Sequence, residues 1–493
     1  MADEPSEFNN LRLFWEKSSG VPSWIQGSYI KNGPSQRRFG DENRWYNNYM
    51  DSWGKLNKIT FTGDGSVEYS GRMIETDNYL KCKEANRLVP TVTVGEVKPN
   101  DWSIAEDLEL MSSLFDNTNV ILWRLGPEDP FNATYIATTD YPLVHYIDPF
   151  TMDVTGKHAF GLLGGHIDEG ITMMTASHWR REVGSDNSLN FHFKYNPVTM
   201  KPDFVLYRFG RSIDEAEEVG RFEADYASYI HMMSNTPRYA VVVLYPVFMN
   251  LMKMPLYNMH PLQTLEMKDG PTLIKLIDLL DGSVLSFETD EPSMVFATHI
   301  ANAWEEGEDE VVFDIATNPW DALISYMNLE TMMNHPTTDA EVADMVMKRV
   351  KLVKSSSKVI VEDLANDGGD AIMNTFDFPT INENYSGYKN RYIYGWVSID
   401  YWRMTLVKRD LEDPAGNAKW FKPSHYPGEM WFLPNPEGVE EDDGVLITLV
   451  FDGEKTQSYV LLLDAKTFEE INIAYLPHNV PFSFHGNWFP ELH

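Results

Sequence analysis

The chain is poor in three things. It has one cysteine, Cys82, among 493 residues. A lone thiol cannot close an internal disulfide, so a scaffold stapled by bridges is excluded and a reducing compartment fits. It has no apolar run of about 18 residues, the length a helix needs to cross a bilayer. It is also short of cations: 40 Lys and Arg face 74 Asp and Glu, a net charge of −34. Such a field repels nucleic acid and anionic membrane surfaces, which removes the basic-patch class of partners. The first residues, MADEPSEFNN, are acidic and polar and show no charged-then-apolar leader. The expectation is a cytoplasmic protein.

Helical periodicity is scarce as well. The best stretches are ALISYMNLETMM (322–333) and TDAEVADMVMKRV (338–350), which read as helices. What abounds is short β-rich sequence: KITFTGDGSVEYSGRMIET (58–76), VVFDIATN (311–318), GVLITLVFDG (444–453) and YVLLLDAKTFEEINIAYL (459–476). GDG at 63–65 and DGEK at 452–455 supply hairpin turns. No linker rich in Pro, Gly or Ser interrupts the pattern from about residue 55 onward. The reading is one all-β domain over 1–493 with a few helical insertions, and at this length a propeller fits better than a barrel or sandwich. No repeat of the WD or kelch type is visible, so any blades have diverged. The acidic runs EEGEDE (305–310) and EEDD (440–443) read as solvated loops. YPVFMNLMKMPLYNM (245–259) has one charge in fifteen residues. It is too short to span a bilayer and reads equally as an apolar membrane-contact rim or a Met-rich core insertion.

Thirteen histidines are present. His145, His158, His260, His335, His425 and His493 have no patterned context and read as surface or turn residues. Four others lie in apolar or β-branched stretches: His178 in TASHWR, His231 in SYIHMMS, His299 in FATHIANAW and His485 in FSFHGNW. Imidazole is a good ligand for iron, zinc, copper and nickel. Yet a lone histidine in such a stretch is usually a core residue with a hydrogen-bond partner, and the spacings 53, 68 and 186 match no local metal motif. Taken by themselves, the residues leave both readings open.

The contexts in order resemble a known family, the carotenoid cleavage oxygenases, and most closely its animal branch of β-carotene oxygenases and the retinal pigment epithelium isomerohydrolase. GSYIKNGPS (27–35) resembles the opening G-x-L-x-R-N-G-P, and 48–79 the segment around F-D-G. YIHMMSNTPRYAVVV (229–243), FATHIANAWEEG (296–307) and FDFPTIN (376–382) resemble the central motifs. YPGEMWFLPNPEGVEEDDGVLITLVFD (426–452) and LLLDAKTFEEINIAYLPHNVPFSFHGNWF (461–489) resemble the terminal ones. The stretch KPNDWSIAED (98–107), where the animal branch has P-D-P-C, carries no cysteine and so no lipid anchor.

The resemblance implies a seven-bladed β-propeller capped by a helical and loop dome. It implies a non-haem Fe(II) held on the axis by four histidines from inner strands, with positions left for O2 beside a substrate alkene. Carried over by motif, three of these are His231, His299 and His485. The first is divided: a gap-free match puts Ser177 in the ligand column, while a shift of one residue selects His178, with His166 in GGHIDEG as a fallback. His178 is preferred because serine would leave a three-histidine site. The family's three orienting glutamates map to Asp140, Asp377 and Glu429, two of them a methylene shorter, so that the backbone must move inward or a water must bridge. The implied activity is oxidative cleavage of a carotenoid or apocarotenoid. A retinyl-ester isomerohydrolase and a carotenoid-binding protein without turnover are the alternatives. Fourteen Trp, 24 Tyr and 26 Phe supply flat apolar surface for a polyene, and 245–259 corresponds to the rim that takes lipophilic substrate from membranes.

Overall fold

A computed structural model describes residues 3–493 except 19–20, 41–42, 162–170, 196–198, 200, 251–252, 254–260, 291–293, 295, 322–326, 335–344, 365–372, 374–375 and 401–402. Its main architecture is seven antiparallel sheets of four or five strands. Sheets 2 to 7 follow the chain, over 121–159, 171–223, 234–288, 297–363, 377–420 and 425–475. Sheet 1 is composite. It runs Phe8–Leu13, Val67–Met73, Trp53–Thr62, Gln26–Gln36 and finally Gly486–Phe489 from the far end of the chain. Gly486–Phe489 pairs with Gln26–Gln36 in the register Lys31 to Gly486 and Ser28 to Phe489. The last strand therefore closes the ring, leaving no open edge there. Innermost strands of neighbouring sheets touch: Ser234–Asn235 meets Ala297–Glu306, which meets Asp377–Thr380, and Gly486–Phe489 meets Ile121–Leu125. This is a seven-bladed propeller.

Stacking explains the sequence pattern. A blade packed on both faces wants apolar residues at every position, not at alternate ones. Tyr239–Leu244 (YAVVVL) is buried throughout, as are Val445–Val450 within Gly444–Asp452. The four quoted β stretches are strands. The 63–65 turn uses Gly63 and Gly65 at φ +80° and +85°, the left-handed region that glycine enters freely.

The helical expectations need correction. Residues 346–350 belong to a strand, Val346–Val353, whose buried positions alternate over much of its length; 338–344 lie outside the described residues. Methionine and valine at mixed spacing imitated a helical period. In 322–333 only the short helix Leu329–Asn334 is seen, and 322–326 lie outside the described residues. Two helices carried capping signals that were readable. Asp77–Ala85 starts on Thr76 and stops on Asn86 in the left-handed region. Ile104–Ser112 starts on a Ser103–Glu106 capping box, inside KPNDWSIAED. These helices, Leu329–Asn334 and the small ladder Trp45–Tyr46 with Val97–Lys98 stand outside the seven sheets. Lys98 of the ladder pairs with Glu330 of Leu329–Asn334.

Other expectations also change. Asp442 of the EEDD run is 4% exposed and pairs with buried Lys408 at 2.6 Å, and Glu441 accepts from the Arg391 and Tyr392 amides. The run lies on a loop as expected and Glu440 is exposed, but Glu441 and Asp442 are tied into the preceding blade. His145 and His425 are buried, bonded to the Thr118 and Tyr459 hydroxyls. Of 245–259, Val247–Met249 forms a strand with Leu265–Met267; 251–252 and 254–259 lie outside the described residues, as do His166, His260 and His335. No helix among the described residues is long and apolar enough to cross a membrane.

Candidate metal centre

The ring brings His178, His231, His299 and His485 together. One ligand atom from each lies within 4.8 Å of all the others, and all four residues are buried. They come from four blades: His178 follows the inner strand of sheet 3, His231 precedes that of sheet 4, His299 lies on that of sheet 5, and His485 precedes the closing strand. Ring centroids are 4.1 Å apart for His178 and His485, and 5.4 Å for His231 and His299. The wide sequence spacings thus have a physical cause. Each ligand comes from a different blade, so no two need be close in the chain.

Three rings are held by acids. His231 Nδ1 donates to both oxygens of Asp140 at 2.9 and 3.0 Å. His299 Nδ1 donates to Asp377 at 2.6 Å, and His485 Nδ1 to Glu429 at 2.9 Å. Both shortened acids reach their imidazoles directly, so neither a water bridge nor a longer side chain is required. Burial pushes the Asp140 carboxyl up, but His231, Ser177 and Tyr229 outweigh it and hold it below the usual carboxylate range. Burial likewise opposes ionisation of Asp377, and His299 with donors from Phe378 and Thr298 prevails. For Glu429 burial wins and pushes the carboxyl up to about 7, against Lys31 and the Gly486 amide.

These carboxylates fix the tautomers. An ionised Asp377 can only accept, so His299 carries a proton on Nδ1, and as a neutral ligand it leaves Nε2 bare. His485, donating to Glu429, is in the same state. Yet the two Nε2 atoms lie 3.3 Å apart. With no proton between them they form no hydrogen bond, and two facing lone pairs repel. A cation between them removes the conflict. Burial and the neighbouring imidazoles also push His178 and His485 well below the usual histidine range, which keeps them neutral as ligands must be. Among the described residues His178 has no acid partner, and its buried Nε2 has no hydrogen-bond partner. The donor set fits a divalent transition metal.

Ser177 faces the other way. Ser177 Oγ donates to Asp140 at 2.6 Å, while the His178 ring joins the cluster. Several partners escaped the motif reading. Tyr229, two residues before His231 and so on its face, donates to Asp140 at 2.7 Å; Thr298 donates to Asp377 at 3.0 Å; the Gly486 amide donates to Glu429 at 2.8 Å. The period of two in YIH was the available signal for Tyr229. An aromatic wall lies alongside. Phe378 sits 5.1 Å from His299 and 4.9 Å from His485, and meets Trp396 and Phe482 edge-on.

Residues 16–490 match the model of the family described as retinal pigment epithelial membrane protein. Carotenoid cleavage dioxygenase 8 of Arabidopsis thaliana is 26% identical, covering 96% of this chain and 82% of its own. The β,β-carotene 15,15'-dioxygenase of Mus musculus is 23% identical over 96% of this chain and 88% of its own. A solved variant of the Synechocystis apocarotenoid oxygenase superposes with a TM-score of 0.79 at 20% identity, covering 99% of this chain and 96% of that one. Plant and animal relatives lie within so narrow a range of identity that no branch is singled out. The match along nearly the whole chain is decisive at family level: the protein belongs to the retinal pigment epithelial membrane protein family, the carotenoid cleavage oxygenases.

Proposed function

We propose that the protein is an Fe(II)-dependent dioxygenase that cleaves one double bond of a carotenoid or apocarotenoid to two carbonyl products. The observation that carries this reading is the pair of bare Nε2 atoms of His299 and His485 at 3.3 Å, with His231 and His178 beside them. Imidazoles alone do not choose among iron, zinc, copper and nickel. The relatives' names, oxygenases and dioxygenases, favour iron. His178, His231, His299 and His485 would hold it, and Fe(II) would supply the one-electron chemistry that lets O2 react with an alkene.

The chain's own residues then do two things. Asp140, Asp377 and Glu429 lock three imidazoles in the tautomer and tilt that a metal needs. Phe378, Trp396 and Phe482 give a polyene flat apolar surface and keep water off the reacting bond. No side-chain base is assigned: cleavage puts one oxygen of O2 on each alkene carbon and transfers no proton. Substrate of this kind sits in membranes, so peripheral contact through 245–259 by a cytoplasmic protein accompanies the reading.

The test is an anaerobic preparation loaded with iron(II) and given O2 with β-carotene, an apocarotenoid or an all-trans retinyl ester. The expected result is an apocarotenal formed in step with O2 consumed. Retinol release without O2 uptake would instead make it an isomerohydrolase. A bound coloured polyene with neither product would make it a carrier, a reading the direct hydrogen bonds of Asp140 and Asp377 do not favour.

A further inference from the structure

The three orienting acids are not supported alike. The carboxylate of Asp140 has two hydroxyl donors, from Ser177 and Tyr229, and that of Asp377 has one, from Thr298. Among the described residues no hydroxyl reaches the carboxylate of Glu429, which takes His485 Nδ1 and the Gly486 amide. A cation lies behind it instead. Lys31, on Gln26–Gln36, is 1% exposed and stands opposite Gly486 in the closing ladder. Its ammonium donates to the Glu429 backbone carbonyl at 3.4 Å. Tyr29, two residues earlier and on the same face, donates its hydroxyl to that carbonyl at 3.3 Å.

The surroundings make room for both groups. A Cβ on Gly428 would sit 3.1 Å from Lys31 Nζ, and one on Gly486 would sit 2.5 Å from the Tyr29 ring. A buried ammonium with one long hydrogen bond is costly for any fold and calls for a nearby negative charge. The Glu429 carboxylate answers that call. Lys31 has no place in the cleavage chemistry and is too enclosed to meet a substrate.

We propose that Lys31 is a positioning residue for the metal centre: its ammonium, with the Tyr29 hydroxyl, fixes the backbone at Glu429 and opposes that residue's charge, and thereby sets the ring of His485. The inference rests on the metal reading of the four histidines. It joins two events at one point, since the strand that closes the propeller also delivers the ligand that Lys31 braces. His485 is tied on both sides there, its amide donating to Val120 and its carbonyl accepting from Asn32.

The test is a cycle on the full chain: wild type, Lys31→Met, Glu429→Gln and the double variant. Iron(II) affinity is read anaerobically by chelator competition, and the thermal midpoint on metal-free protein. The expected result is about tenfold weaker iron binding for Lys31→Met, at the low end for removal of a supporting partner. It should also show a lower midpoint that Glu429→Gln largely restores. Losses that simply add would mean that Lys31 only fills space, and would overturn the proposal. If Lys31→Met does not fold, Tyr29→Phe removes the other side-chain bond to the Glu429 carbonyl and keeps the ring, and a folded Tyr29→Phe binding iron as wild type does would overturn it equally. A wild type that binds no iron(II) would refute the metal reading, while the metal-free midpoints would still show whether Lys31 and Glu429 act together.

Discussion

Two kinds of buried polarity occur in this molecule. Away from the axis, charged groups are closed on each other. Lys408 pairs with Asp442 at 2.6 Å and also donates to the Lys466 carbonyl, and Arg349 grips Asp314 through two hydrogen bonds of 2.8 Å. At the axis, polar groups are held from behind and left open in front. Three imidazoles spend their Nδ1 protons on acids and turn bare nitrogens to a common point, and His178 adds a fourth ring. Lys408, Asp442 and Asp314 are as buried as the four histidines, so burial does not mark function. What marks it is four imidazoles from four blades turned to a common point.

The sharpest way to test that contrast is to remove one polar group from each region. His178→Ala should bring the iron content of purified protein to background, by elemental analysis. Its metal-free form should be as stable as wild type, because Nε2 of His178 has no partner to orphan. Lys408→Met should do the reverse. It strands the Asp442 carboxylate, 4% exposed, and should cost about 3–5 kcal/mol in denaturant unfolding. Iron per folded molecule should not change. If Lys408→Met loses iron, or His178→Ala loses several kcal/mol, the two regions are not distinct in the way the geometry says.

The same contrast governs what could be read from sequence. Blade strands announced themselves because packing on both faces demands unbroken apolar runs such as YAVVVL. The ring, and the order of its blades, did not, since the sheets share no repeat; ordered motif resemblance supplied that. His231, His299, His485 and their acids were legible only because motifs travel with their neighbours. The donors to those acids come from other blades or from backbone, as with Thr298 and Gly486, and no local pattern records such contacts. Asp442 was misread for the same reason. An acidic run looks solvated until a lysine 34 residues away is folded against it. Residues 346–350 were misread on period alone.

The smallest effect concerns Ser177 and His178, adjacent in sequence and opposite in role. Ser177 is fully buried, and its hydroxyl and amide both donate to Asp140 Oδ1, at 2.6 and 3.1 Å. Ser177→Ala removes the hydroxyl and keeps the amide. Asp140 then retains the Tyr229 hydroxyl at 2.7 Å and both contacts to His231. The loss is one hydrogen bond to a charged acceptor among several, about 1 kcal/mol, felt at the metal only through the tilt of His231. Iron should remain bound in Ser177→Ala, with affinity lowered about fivefold in chelator competition, the equivalent of that energy. Were serine the ligand and His178 a packing residue, the ranking would invert, with iron lost from Ser177→Ala and kept in His178→Ala. Only one of the two residues offers a ligand atom to the cluster, so the pair of variants decides between them.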